Sequence, residues 1–250
     1  MQIKGVIFDI GGVLYVGDSV IDGAIEAIKK IKSKYKVRFL TNTTRRAPKS
    51  VLKRLNSFGF EVSEDELFTA LNATRDYIIK NRGSAYLILT NEAKEYFKDL
   101  ESNNPSYVVV GDAYTNFNYE NLNRGFRALM NGAKLIAAAK NRYFKDSDNQ
   151  LSLDAGGFVE ALEFASNQKA KIIGKPSKEF FNLALSSLNL EPKEVLMVGD
   201  DIQNDILGAK EAGLNTALVK TGKFQESDLK KDIKPDFILD SVVDLLDIIF

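Results

Sequence analysis

Short apolar runs rich in β-branched residues recur along the chain, each followed by a stretch with helical spacing, and this rhythm restricts the chain to parallel α/β architecture. Residues 3–10 form the first run. They end at Gly11-Gly12 and predict a strand buried on both faces with a sharp turn after it. From Asp22 onward, Ala24, Ile25, Ile28 and Ile31 share one helical face, and VRFLT at 37–41 follows as the next strand. A helix opens at Pro48 with Val51, Leu52 and Leu55 on one face and Gly59 as its stop, and Ser63-Glu64-Asp65-Glu66 has the form of a capping box. Strand-like YLIL (86–89), YVVV (107–110) and KLIAAA (134–139) alternate with helical patterns at 92–100 and 119–130. Residues 140–157 turn polar and predict a surface loop, followed by a helix at 158–165 and the strand-like KAKIIG. A helix at 179–188, the run VLMVG (195–199), a helix at 204–212, TALVK (216–220) and a strand-helix pair from Asp236 complete the pattern.

What the chain lacks narrows its chemistry. Its 250 residues include no Cys, no His and no Trp. Disulfides, Cys/His zinc sites, thiolate nucleophiles and imidazole bases are therefore excluded. Carboxylates, lysines, hydroxyls, backbone groups and a hard cation bound by oxygen remain. With 34 Lys+Arg against 34 Asp+Glu, the chain has no overall attraction for nucleic acid or an anionic membrane, and neither is expected as a partner. Asp9 interrupts the apolar N-terminal stretch, and no run approaches the roughly 18 to 20 uncharged apolar residues of a membrane span, so a cytoplasmic protein is expected.

The residues that could carry chemistry stand where strands end. Asp9 follows the first run, at the place where open α/β sheets hold ligands, although a turn Asp bonding to its own backbone would look the same. Thr41-Asn42-Thr43-Thr44 offers hydroxyls and an amide to phosphate oxygens, or serves as an ordinary N-cap before Pro48. Arg45-Arg46 could assist an anion or form a solvated face. Lys175, between Gly174 and Pro176, is either a surface lysine or a charge for a transferring phosphoryl group. The most specific cluster is Asp200, Asp201 and Asp205, three acids after a buried strand that call for a cation such as Mg²⁺.

A carboxylate, a hydroxyl, a lysine and an acid cluster, each at a strand end in one parallel sheet, form a phosphoryl-transfer constellation. In these residues the chain resembles the haloacid dehalogenase superfamily over essentially its whole length. Asp9-Ile10-Gly11-Gly12-Val13-Leu14 corresponds to motif I, Thr41-Asn42 to motif II, Lys175 to motif III and Gly199-Asp200-Asp201 through Asp205 to motif IV. The long interval between Thr41 and Lys175 resembles the NagD-type branch, in which a large cap is inserted there.

The resemblance implies a Rossmann-like α/β core at residues 1–76 and 173–250 with an inserted α/β cap at 77–172. It implies Asp9 as nucleophile, forming an aspartyl-phosphate, with Lys175 as the second catalytic residue. Mg²⁺ would be held by Asp9, the backbone carbonyl of Gly11, Asp200 and, through water, Asp205. The phosphoryl group of a small-molecule substrate would meet Asp9, Ile10, Gly11, Thr41, Asn42 and Lys175. A homo-oligomer is left open. Lys175→Ala is expected to weaken phosphate binding and turnover with little change in stability.

One departure stands out. Phosphatases of this superfamily usually carry a second Asp two residues after the nucleophile as general acid and base, and here that position is Gly11. In that family the metal uses the backbone carbonyl at this position, so the resemblance implies that Gly11 preserves Mg²⁺ binding while removing the general acid-base. Good leaving groups such as aryl phosphates, pyrophosphate or phosphoramidates suffer least. The alternative is a phosphoryl-binding regulatory relative with little turnover. A response-regulator receiver has its acidic pair after the first strand, the reverse of this chain, and a dinucleotide-binding protein needs a G-x-G-x-x-G that is missing after the first run.

Overall fold

Gly5–Phe8 and Val195–Gly199 are buried at every position, as a strand flanked on both sides and covered on both faces must be. Their side chains alternate. Val6 and Phe8 point into a cluster with Ile28, Ile31, Phe39 and Val198, while Ile7 points into another with Leu40, Met197, Phe180 and Phe181. The rings of Phe8 and Phe39, on neighbouring strands, stack with centroids 6.1 Å apart. The computed structural model describes all residues except Met1, Ser147 and Asn149, with the side chain of Lys145 also set aside.

In chain order the strands are β1 (Gly5–Phe8), the small hairpin β2 (Tyr15–Val16) and β3 (Ser19–Val20), β4 (Lys36–Thr41) and β5 (Leu67–Thr69). Then come β6 (Ala85–Ile88), β7 (Tyr107–Val110), β8 (Lys134–Ala137), β9 (Tyr143–Lys145), β10 (Leu151–Leu153) and β11 (Lys171–Ile172). β12 (Val195–Gly199), β13 (Asn215–Val219) and β14 (Phe237–Leu239) complete the set. A six-stranded parallel sheet has the order β14-β13-β12-β1-β4-β5, and a four-stranded parallel sheet the order β11-β8-β7-β6. The α/β expectation holds.

From β1 the chain builds the large sheet one way through β4 and β5, then returns on the other side through β12, β13 and β14. The order reverses between β1 and β12, and the crevice beyond the carboxyl ends of these strands is where such sheets hold ligands. One buried cluster joins Ile7, Leu40 and Met197 of the large sheet to Leu87, Val109 and Ile136 of the small one, so apolar packing continues between the sheets.

Two sequence expectations need correction. Within the polar stretch 140–157, β9 and β10 pair as an antiparallel hairpin, and the next helix begins at Ala155 with Asp154 as its N-cap. The hairpin gives no burial signal because Leu151 and Leu153 face outward, 51% and 66% exposed. The predicted helix at 204–212 opens instead as a wider π-type turn, Ile202–Leu207, before the α-helix Gly208–Glu211. No helix of the described residues is long and apolar enough to cross a membrane.

Candidate active site

A cavity of about 390 Å³ opens at the reversal point, lined by Asp9, Gly11, Thr41, Asn42, Lys175, Asp200 and Asp205 among others. Most are delivered by strand ends, and Asp205 by the π-type turn after β12. Asp9 follows β1 and its N–H donates to Val198 O at 2.9 Å, Thr41 is the last residue of β4, and Asp200 follows β12. Lys175 corrects the expectation of a single sheet: it follows β11, the edge strand of the small sheet, on the segment that re-enters the core. Ile10 does not line the cavity. Its side chain is fully buried in the core, so only its backbone is available to a ligand.

Lys175 is 3% exposed, which rules out a surface lysine. Its Nζ lies 2.5 Å from Asp9 Oδ1 and 2.6 Å from Asp205 Oδ1. Burial alone would favour the neutral amine, but the charges of Asp205 and Asp9 outweigh it and raise the Lys175 pKa above the ordinary lysine value. The lysine is therefore a fixed cation between two acids.

The acid cluster is aimed by backbone donors. Asp205 Oδ2 accepts from the N–H groups of Asp200 and Asp201, both at 3.1 Å, and Asp200 Oδ2 accepts from Lys223 N at 2.8 Å. That leaves Asp200 Oδ1 buried without a hydrogen-bond partner. Asp9, Asp200 and Asp205 each offer a carboxylate oxygen within 4.8 Å of the others. Burial, reinforced by Asp9 and Asp205, pushes Asp200 well above the usual carboxylate range, and burial with the charges of Asp9 and Asp201 pushes Asp205 up to about 6 against the pull of Lys175. An unpaired buried oxygen facing two further carboxylates is a donor set suited to a hard divalent cation, which would relieve the repulsion.

Close approach explains the glycines here. Gly12 adopts φ +84° against the Asp200 carboxylate, and a Cβ there would also lie 3.0 Å from the Cα of Gly222. Gly11 is different: its φ is not in the left-handed region, and a Cβ on it would meet nothing within 4 Å.

Asn42 plays a different part from the one its motif implies. Its Nδ2 donates to Lys175 O at 2.9 Å and to Asn141 Oδ1 at 3.0 Å, while its Oδ1 accepts from Lys175 N at 2.8 Å. Both amide hydrogens are used, so the side chain clamps the Lys175 backbone and leaves only the main chain to meet an anion. Thr41 Oγ1 accepts from Thr43 N at 3.1 Å and bonds to Thr43 Oγ1, and it stays beside the cavity.

Around the mouth, Arg45 is paired with Asp112 at 2.7 Å and lies against the rings of Tyr114 and Phe144, so it is not a freely solvated residue. Four residues assigned no role from the sequence also line the wall: Asn141, Asp154, Asn204 and Lys223. Lys223 Nζ pairs with Asp201 Oδ2 at 2.9 Å. Burial would raise Asp201, yet Lys223 and the hydrogen bonds from Asn204 hold it well below the usual carboxylate range. Polar residues in turns carry no periodic signal, and only the tertiary structure brings these four together.

Residues 6–103 match the haloacid dehalogenase-like hydrolase family, and residues 172–245 match a HAD-hydrolase-like family. The chain is 42% identical over 230 residues to haloacid dehalogenase-like hydrolase domain-containing protein 2 of Bos taurus, covering 92% of this chain and 88% of that one. It is 38% identical over 257 residues to phospholysine phosphohistidine inorganic pyrophosphate phosphatase of Xenopus laevis, covering 99% and 94%. Among solved structures, NagD from Escherichia coli superposes with a TM-score of 0.85 at 27% identity, covering 97% of this chain and 98% of NagD.

Proposed function

The chain belongs to the NagD-type haloacid dehalogenase-like hydrolases, and from that premise we propose that it is a Mg²⁺-dependent phosphatase acting through a phosphoryl group carried on Asp9. The observation that carries this reading is the contact of Lys175 Nζ with Asp9 Oδ1 and Asp205 Oδ1 beside the unpaired oxygen of Asp200, at the reversal point of the sheet. Asp9, Asp200, Asp205 and the carbonyl of Gly11 would hold Mg²⁺. When bound, it supplies charge neutralisation for the phosphoryl oxygens and for the crowded acids.

A carboxylate oxygen of Asp9 attacks phosphorus, and the bond from phosphorus to the leaving group breaks with its electron pair departing on that group. Water then attacks the aspartyl-phosphate, the bond to phosphorus breaks, and inorganic phosphate leaves with the Asp9 carboxylate restored. Lys175 balances the phosphoryl charge in both steps, because the Asn42 clamp holds its backbone while its ammonium reaches Asp9. Gly11 contributes no proton, so substrates that need none from the enzyme are favoured: aryl phosphates and pyrophosphate, whose leaving groups depart as anions, and phosphoramidates, whose nitrogen carries its own proton. The name of the Xenopus laevis relative contains the last two classes. A cavity of about 390 Å³ suits a small molecule.

Two outcomes follow. Excess chelator abolishes hydrolysis of p-nitrophenyl phosphate, and added Mg²⁺ restores it. Hydrolysis that survives chelation contradicts the cation requirement, and a protein that binds phosphate but never releases the nitrophenolate is the regulatory relative. Lys175→Met lowers kcat by about 10² to 10³, the scale seen for losing one preorganised charge stabiliser. Because Lys175 is buried, a loss of stability is expected in place of little change. Without Lys175, Asp9 and Asp205 face each other uncompensated, and in chelator the variant loses about 3 to 5 kcal/mol in denaturant unfolding. Mg²⁺ recovers part of that loss, whereas equal stability of variant and parent in chelator contradicts the ion triad.

A further inference from the structure

Asn141 lies just after β8, where the chain leaves the small sheet, yet its side chain reaches the core. Its Oδ1 accepts from Asn42 Nδ2 at 3.0 Å and from Asn204 Nδ2 at 3.2 Å. Those two acceptances use both lone pairs of one amide oxygen. The opposite end of the amide faces the buried Asp154: burial pushes the Asp154 carboxyl above the usual range, and the Asn141 side chain acts against that as a donor, as only its N–H can. The amide therefore has one sensible orientation, nitrogen to Asp154 and oxygen to the two asparagines. The main chain anchors the same residue, since Asn141 O accepts from Gly156 N at 2.9 Å.

Each partner is itself a positioning group. Asn42 clamps the backbone of Lys175 from both sides, and Asn204 Nδ2 donates to Asp201 Oδ2 at 2.5 Å, the carboxylate that also pairs with Lys223. One oxygen thus ties the loop that sets Lys175 to the turn that carries Asp201 and Asp205.

We propose that Asn141 is a positioning residue that sets the Asn42 clamp on Lys175 and the Asn204 contact to Asp201 together, coupling the small sheet to the phosphoryl-transfer site. Its effect on turnover rests on the phosphatase reading above. Its effect on the two amides does not.

The test uses the full chain. Asn141→Ala removes the shared acceptor and lowers kcat for p-nitrophenyl phosphate by about 10- to 100-fold, the range for losing a group that orients reacting residues. Asn141→Asp is similarly impaired, because it sets a second carboxylate against Asp154. The exchanged pair Asn141→Asp with Asp154→Asn restores every hydrogen bond: the new carboxylate accepts from Asn42, Asn204 and the new amide, and the amide oxygen introduced at position 154 can still accept from Ala155 N. It recovers most of the lost kcat, which a purely steric role for Asn141 does not predict. The side-chain amide resonances of Asn42 and Asn204 in a ¹⁵N-¹H spectrum shift in Asn141→Ala and return in the exchanged pair. The proposal is overturned if Asn141→Ala matches the parent in kcat, if the exchanged pair is no better than the single variants, or if the two amide resonances do not move. If the parent hydrolyses nothing, the phosphatase reading fails, and the amide resonances alone decide whether Asn141 holds its two partners.

Discussion

Gly11→Asp raises the rate of alkyl phosphate hydrolysis by about 10² to 10⁴, the usual worth of a positioned proton donor, and raises p-nitrophenyl phosphate hydrolysis much less. An alkoxide leaves poorly without a proton, while nitrophenolate leaves well. The local structure admits the substitution. Gly11 lines the cavity, does not need a left-handed backbone, and leaves open space where a Cβ would go. Its neighbour Gly12 could not be changed in this way, since it combines φ +84° with the Asp200 carboxylate against its Cα. The acids already in the crevice would push a further carboxyl upward, which suits a group that must carry a proton to the leaving oxygen. Steady-state kinetics on an alkyl and an aryl phosphate decide the matter. If the variant folds, binds Mg²⁺ and treats alkyl phosphates no better than the parent, proton transfer is not what limits this protein.

Asp9→Asn gives the largest loss. The amide is nearly isosteric and its oxygen can still accept from Lys175, but it is no nucleophile toward phosphorus. Turnover falls by a factor on the order of 10⁴ to 10⁶, as when the nucleophile of a covalent mechanism is removed. Inorganic phosphate still binds, because Lys175 and the ends of β1 and β4 are unchanged. Kinetics of the variant beside phosphate binding by calorimetry separate the two effects. A variant that keeps the parent's turnover places the chemistry on another residue.

Much of this arrangement is legible in the amino-acid sequence, for a physical reason. Asp9 and Asp200 follow, and Thr41 ends, a strand whose apolar run marks its own end, and a parallel sheet collects such ends along one edge. Lys175 is legible as the residue after an apolar run, but the sheet that run joins and the burial of Lys175 are not. The strand before it is just Lys171–Ile172 at the edge of the other sheet, and a sequence separation of 166 hides the contact of Lys175 with Asp9 from any local pattern. Asn42 shows a subtler limit. Its residue type suits phosphate binding, but which partners use its two amide hydrogens depends on Lys175 and Asn141, far along the chain. The β9-β10 hairpin leaves no trace in the pattern because its leucines point to solvent, so the alternation that usually reveals a strand marks no buried face. Lys223, after β13, has no signal beyond a Gly-Lys pair in a turn.

The most direct test of the mechanism is to quench the parent enzyme with acid during hydrolysis of p-nitrophenyl phosphate and map the peptides by mass spectrometry. With no carboxylate at position 11 to activate water, breakdown of the aspartyl-phosphate is slowed more than its formation from this substrate, so the intermediate accumulates. The predicted result is a phosphoryl adduct on the peptide containing Asp9, lost when the quench follows substrate exhaustion and never formed in Asp9→Asn. Phosphate release with no adduct at Asp9 at any quench time, or with the adduct on another residue, would contradict the assignment of Asp9 as the nucleophile.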